Sequence, residues 1–600
     1  MQLYNLEILM CRFNLIAIYR QLLCSVSIFI FLVSSPIVLA GYQITQPSPS
    51  VLDIFTGKKD HNLFIKTDVL AVINAKSNAY LAHVDFSNRA EDLASLYQLI
   101  DNKLLWLGNN LAEQNILEVI DLLDAATENG LNSANYDSKK LREMLPTALK
   151  FAADDYQHLA LYDTAISLSL LRYLHDLHYG RVSPLGINYN LKLREKKLID
   201  LPKLITSRVM NASIKQLPAL VEPSLPQYQK LKTALATYRL LAQKTVTLQL
   251  HSEKSINPGD NFTQLNDLRR FLIAVNDMQT EIATKQTTLY SDKIVKGVKK
   301  FQQRHGLDAD GVMGKGTIDA LNVPLKDRVT QIELAMERLR WLPVFNTGPY
   351  IIVNIPAYQL WAFDDIDQTN ANITTMKVVV GKALDHQTPV LMAEMRFIDF
   401  MPYWNVPYNI FKKELLPKLR QNPSYLEKEN MELVATFAND SKSVSFNNAS
   451  IEQLKQGNLR IRQRPGKHNA LGRVKFMFPN KDDVYLHDTP SHSLFSRSRR
   501  DLSHGCVRVA NPQALAEFAL KEQWTKEDIQ VALNAPNTQR VVLKRSIPVL
   551  FFYTTAFFDP NNDLILYTDI YGNDTILLEA LKNSDDLSDQ SIFASNNIAS

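Results

Sequence analysis

Cysteine is nearly missing from this chain: there are three in 600 residues, Cys11, Cys24 and Cys506. The first two fall in an N-terminal segment with leader character. The remainder therefore holds one thiol, which excludes a disulfide framework within it. A charge excess of either sign is also missing. Lys and Arg number 66 against 62 Asp and Glu, and removing Arg12, Arg20 and Glu7 with the leader leaves 64 against 61. That balance gives no reason to expect nucleic acid as a partner. Beyond the leader, no apolar run is long enough to cross a bilayer. Metal-ligand patterns are lacking as well. His175 and His178 flank Asp176 at a helix end without a third ligand, and the favourable pole of the helix dipole accounts for them. Asp308 and Asp310 begin like a calcium loop, but Val312 and Met313 stand where an oxygen ligand and glycine are required. No metal and no cofactor are expected.

What is present begins with the leader. Arg12 and Arg20 precede LLCSVSIFIFLVSSPIVLA, an uncharged run ending in small residues before Gly41. This is a signal-peptide layout, long enough also to stay as an inner-membrane anchor. Both outcomes export the rest of the chain. The roughly 560 residues after the leader suit three or four domains.

The next region is helical. Ile116, Val119, Ile120 and Leu123 recur at three- and four-residue spacing, with a stop at Gly130; DTAISLSLLRYLHDLHYGRVSP repeats the design, with Gly180 and Pro184 as terminators. Around residues 262–322, IVKGVKKFQQRHGLDADGVMGKGTIDALN resembles the peptidoglycan-binding module, a small three-helix domain. The residues carrying that likeness are Phe301-Gln302, Gly306-Leu307, Asp310-Gly311, Gly314, Thr317 and Leu321-Asn322. After DRVTQIELAMERLRWLP the chain turns β-rich, with alternating and β-branched runs in YIIVNIPAYQLWAFDD and MKVVVGKALDHQTPVL. A detour of about 70 residues separates MRFIDFMPYWNVP from VKFMFP and DVYLHDT, and an insertion between strands of one sheet suits an active-site lid.

The thiol lies in DLSHGCVRVA. A resting thiol, with a pKa near 8.5, needs a base or cation beside it to react. His487 ends an apolar strand, with Asp488 after it, and 18 residues can return Cys506 to it. His504 is too near along the backbone to be assigned as base by spacing. Gly505 permits a tight turn, and the amides around Gly505 and Cys506 suit an oxyanion. Arg508, two residues beyond the thiol, pairs with a substrate carboxylate or braces the turn.

HDTP…SHGCVRV, together with YIIVNIPAYQLWAF, VVVGKALDHQTPV and YWNVP, resembles the L,D-transpeptidase (YkuD-type) family. The order of regions is similar to that of its large periplasmic Gram-negative members. The resemblance implies a multidomain α+β protein in the periplasm. Its parts are a leader or anchor (1–40), a helical scaffold domain (41–261), a peptidoglycan-binding domain (262–322), a helical linker (323–345), a mostly β catalytic domain (346–574, lid about 405–473) and a C-terminal tail (575–600). It implies Cys506 as nucleophile, His487 as base, and Ser503, His504, Gly505, Asp488 and Arg508 in support, with Tyr485, Trp404 and Tyr403 lining the cleft. Peptidoglycan stem peptides and glycan are the implied partners. The implied reaction joins stems by 3-3 cross-links through a thioester, releasing D-alanine, and the family is sensitive to carbapenems. Water as acceptor makes a carboxypeptidase or endopeptidase, and a lipoprotein lysine makes an anchoring enzyme. The rival outside enzymes is a non-catalytic wall-binding scaffold. Carboxylates on the stems suit the basic residues Arg460, Arg462, Arg464, Lys467, Arg497, Arg499 and Arg500.

Overall fold

The computed structural model describes residues 58–586 apart from 109–110, 188–198, 246, 281–287, 344, 346–347, 366–372 and 448. The leader and the last residues of the expected tail lie outside the described residues. From His61 onward the chain forms one compact unit. Among the described residues no helix is long and apolar enough to cross a membrane.

The helical region is built around the Tyr156–Tyr179 helix, buried over most of its length. Asp155 caps its N-terminus, and Gly180 follows its end with φ +82°. The core around it is not purely apolar. Asp163, fully buried, accepts hydrogen bonds from Tyr97 OH at 2.6 Å and from the Leu105, Trp106 and Leu107 amides at 2.9 Å each. These bonds satisfy an otherwise prohibitive buried carboxylate and fix the loop that carries Trp106. Burial raises its pKa, and the same hydrogen bonds oppose the rise.

In the small helical module, the residues that carry the sequence likeness are spent on its own structure. Gln302 Nε2 donates to Asp310 Oδ1 at 3.0 Å, Val312 O at 3.0 Å and Thr317 Oγ1 at 3.1 Å, and its Oε1 accepts from the Gly311 amide at 2.8 Å. One amide side chain thus fastens the Asp292–Arg304 helix to the glycine-rich turn and the Lys315–Leu321 helix.

The segment read as a linker is a buried helix, Leu325–Arg340. Arg340 bonds Glu337 at 2.7 Å and Tyr228 OH at 3.0 Å on the scaffold side. On the other side, Gln331 Nε2 donates to the carbonyls of Thr555 (2.9 Å) and Tyr567 (2.8 Å), and Arg338 meets Asp574 at 2.5 Å. Scaffold and β region are therefore locked through one helix. The expected tail begins inside another, Asn573–Asp586, whose Ser584 Oγ accepts from Arg181 at 2.9 Å.

The β region runs through β1 (Tyr350–Asn354), β2 (Gln359–Phe363), β3 (Ile373–Gly381), β4 (Leu391–Phe400), β5 (Trp404–Asn405), β6 (Met431–Val434), β7 (Arg460–Gln463), β8 (Val474–Met477), β9 (Leu486–His487), β10 (Asp501–Ser503), β11 (Val507–Val509) and β12 (Gln539–Phe552). The main sheet has the order β10-β3-β11-β9-β8-β4-β12-β1-β2, and β2 pairs again with β3. This closes β3, β11, β9, β8, β4, β12, β1 and β2 into a ring, with the short β10 paired to β3 alone. The insertion between β4 and β8 holds a second sheet, β5-β7-β6, and its own apolar cluster of Phe411, Leu419, Leu433 and Ile461. Each such fully buried side chain contributes about 2 kcal/mol, so the lid is a small folded body and not a loop.

Candidate active site

Parallel pairing of β11 with β9 sets Arg508 opposite His487 and Val507 opposite Leu486, while β8 pairs antiparallel with β9 so that Lys475 faces His487. Side chains two apart on a strand share a face. Tyr485, His487, Cys506, Arg508 and Lys475 thus gather on one face of the sheet. The 18 residues between the two motif halves form the His492–Ser496 turn and β10.

His487 is buried, and its Nδ1 lies 2.5 Å from the Asp488 carbonyl oxygen. A carbonyl can only accept, so Nδ1 carries the proton and Nε2 presents its lone pair, as a base requires. Burial, then Arg508 and Lys475, drive the imidazole pKa down to about 3, so it stands neutral at working pH. Asp488 supports it through its main chain. The carboxylate points elsewhere, accepting from the Arg473 amide at 2.8 Å and the Thr489 amide at 2.7 Å. Gly472, at φ +62°, leaves room for it, because a Cβ there would fall 2.3 Å from Asp488 Cγ.

The half-buried Cys506 Sγ lies 4.0 Å from the Asp483 carbonyl oxygen. Burial raises the thiol pKa, opposed by hydrogen bonding to Tyr485 and by the charges of Lys475 and Arg508. Ser503 ties the turn together: its Oγ donates to Cys506 O at 2.6 Å and accepts from the Gly505 amide at 3.2 Å. The Gly505 N–H is therefore engaged, and of the two amides expected to serve an oxyanion the Cys506 N–H is the one left for it. Gly505 itself takes φ +111°, a conformation L-residues rarely adopt.

Several supporting groups carried no local signal in the sequence. Thr388 Oγ1 donates to Gly505 O at 2.8 Å and accepts from the Gly381 amide at 2.8 Å; Tyr571 OH donates to Gly381 O at 2.6 Å. A residue 65 positions past the thiol thus props its turn. Lys475 stood in plain view as the one charge in the VKFMF strand. His504, expected beside the nucleophile, reaches away from it: Nε2 meets Glu414 of the lid at 2.6 Å, and its ring lies 4.8 Å from that of His386.

Other expected cleft residues are placed differently. Trp404 packs on the lid's own core, and the Tyr403 ring lies 4.1 Å from the Arg462 guanidinium. Most of the basic cluster is structural. Arg462 is buried against Glu432 at 2.7 Å, Arg464 shares that carboxylate at 2.9 Å, Arg499 grips Asp501 at 2.7 and 2.9 Å, and buried Arg500 donates to carbonyls of Val378 and Tyr358. Cations held this way are not free for a carboxylate ligand. Arg460, Lys467 and Arg497 remain exposed, and Arg464 and Arg499 are exposed despite their ion pairs.

A mostly β domain thus sets a thiol and a neutral imidazole on one sheet face beside an inserted lid. Comparison with known families identifies the domain. Residues 348–533 match the L,D-transpeptidase catalytic domain (YkuD), residues 91–235 a scaffold domain, and residues 264–321 a family described as "Putative peptidoglycan binding domain". The β region of this chain is an L,D-transpeptidase catalytic domain. A curated protein of Haemophilus influenzae named "Putative L,D-transpeptidase" is 36% identical over 252 residues, 42% of this chain and 49% of that protein. The chain thus spans about half the length of the curated relative it matches.

Proposed function

We propose that the protein is a peptidoglycan L,D-transpeptidase that forms 3-3 cross-links between stem peptides, acting in the periplasm behind a cleaved or anchoring leader. The observation that carries this reading is the imidazole tautomer. With Nδ1–H held by the Asp488 carbonyl, Nε2 is the basic nitrogen on the face that Cys506 shares. The steps follow the usual logic of covalent acyl transfer. His487 Nε2 takes the thiol proton, and Cys506 sulfur bonds the carbonyl carbon of the third stem residue. The Cys506 N–H supports the oxyanion. The C–N bond to the terminal D-alanine breaks, and the imidazolium returns its proton to the departing amine. A side-chain amine of a neighbouring stem then attacks the thioester, giving its proton to His487 and freeing the thiolate, which is reprotonated. The small helical module holds glycan beside the site. Hydrolysis to tripeptide, and transfer to a protein lysine, are the same chemistry with another acceptor.

Incubation with purified tetrapeptide muropeptides, followed by mass spectrometry, tests the reading. A 3-3 dimer with released D-alanine is expected from the wild type, with a loss of more than about a thousandfold in Cys506→Ala. Tripeptide alone identifies a hydrolase, and equal products from both proteins refute the catalytic role of Cys506. A carbapenem is expected to add its mass at Cys506; an unmodified thiol in folded protein counts against an open acylating cleft.

A further inference from the structure

We infer that Lys475 is a positioning residue of this site: its unpaired ammonium, lying over the Tyr485 ring on the face that carries Cys506 and His487, supplies the positive charge that stabilises the attacking thiolate. The inference rests on the reading of Cys506 as nucleophile, and neither the family match nor the motif assigns this lysine a role.

Register places it. Arg540, Asp399, Lys475, His487 and Arg508 are consecutive cross-strand partners on β12, β4, β8, β9 and β11, so their side chains form one row on one sheet face. The carboxylate of that row is already taken, because Arg540 grips Asp399 in a two-point pair at 2.7 and 2.9 Å. Lys475 is left as a half-buried cation with neither hydrogen bond nor ion pair among the described residues, its Nζ 3.8 Å from the Tyr485 ring centroid. A partly desolvated cation over an aromatic face is held there. Tyr485 lies alongside the strand that follows the thiol, its carbonyl accepting from the Val507 amide at 3.1 Å, so the lysine lies behind a residue that flanks Cys506. Leaving such a charge unpaired opposes the trend that buried cations find partners, and a negative charge formed during reaction is what this one lacks.

The groups that act on the sulfur from the surrounding elements are Tyr485 of the β9 segment, Asp483 in the turn before it, Lys475 of β8 and Arg508 of β11, with His487 on the same sheet face. His504 in its own turn faces Glu414 of the lid and His386. His487 is neutral above about pH 3, so it offers the resting thiol no positive charge. Until the proton reaches His487, the positive charge that favours the thiolate comes from Lys475 and Arg508. The same two cations disfavour the imidazolium, which keeps His487 ready as a base and hastens return of the proton to the leaving amine.

Alkylation of Cys506 by iodoacetamide across pH reads this without any substrate. Lys475→Met is expected to raise the midpoint by about one unit and slow alkylation near pH 7 about tenfold, while Lys475→Arg stays near wild type. Lys475→Gln serves the same purpose should the methionine variant not fold. With muropeptide, the neutral variants should lose kcat with little change in KM. A midpoint within about 0.2 units of wild type in a folded neutral variant overturns the inference, as does a loss confined to KM. The two readings fail separately. Unchanged alkylation sinks the role of Lys475 and leaves the transpeptidase standing; a shifted midpoint in a protein that transfers no stem peptide does the reverse.

Discussion

The lid and the sheet beneath it both withdraw cations from water, and they use them in opposite ways. In the lid, Arg462 is buried to 2% exposure against Glu432, with Arg464 on the same carboxylate and Tyr403 stacked beneath. Both arginines there are answered by Glu432 within the lid. On the sheet, Asp399 is answered by Arg540, while Lys475 stays unanswered and the Arg508 guanidinium buries an Nε that makes no hydrogen bond. Paired cations stiffen a fold, and unpaired ones beside a thiol wait for charge that appears only in reaction. Several arginines of the basic run, Arg462, Arg464, Arg499 and Arg500, have partners inside the protein.

Substitutions should separate the two uses. His487→Gln is expected to cost about a hundredfold to ten-thousandfold in transfer rate with the fold retained, measured by product formation beside circular dichroism. Arg462→Ala should destabilise the lid by about 1–3 kcal/mol, because it removes the buried partner of Glu432 and leaves that carboxylate only the more exposed Arg464, and limited proteolysis should then cut first between residues 405 and 473. A lid that stays protected would refute the contrast. Gly472→Ala should cost at least about 1 kcal/mol, since it combines a left-handed backbone with a clash on Asp488; slower transfer together with a lower Tm checks it. Glu414→Gln, at an exposed contact with His504, should change stability by less than about 1 kcal/mol.

His487 also gives the protein a pH signature. Its folded pKa, about 3, lies below the unfolded value near 6.5, so its contribution to stability is complete above pH 6.5 and is lost as pH falls toward 3. Thermal unfolding of wild type and His487→Asn should diverge in that window, with the wild type losing more on acidification. Parallel curves would mean an imidazole that protonates freely in the folded state.

The class of fold and the two residues proposed as the reactive pair were legible in the sequence, because strand alternation, an insertion and a lone thiol beyond the leader-like segment are all local patterns. The sequence favours His487 over His504 because it ends a strand; His504 meets Glu414 of the lid. The features that stayed hidden depend on contacts between distant segments. Tyr571 props the catalytic turn across 65 residues of chain, and Asp488 serves through its carbonyl while its side chain holds Arg473 and Thr489. The helix after the small module reads as a connector from its two ends, yet it is buried because the scaffold and the β domain both close upon it. Trp404 and Tyr403 sit next to a strand that leads to the site, and only the second sheet shows that they belong to the lid.

The most direct test is a rapid acid quench of the protein with a tetrapeptide donor, followed by mass mapping of the peptide that contains Cys506. A thioester adduct equal to the donor less one alanine, formed before cross-linked product and absent in Cys506→Ala, is expected. Product that accumulates with no adduct on Cys506 would contradict the thioester route.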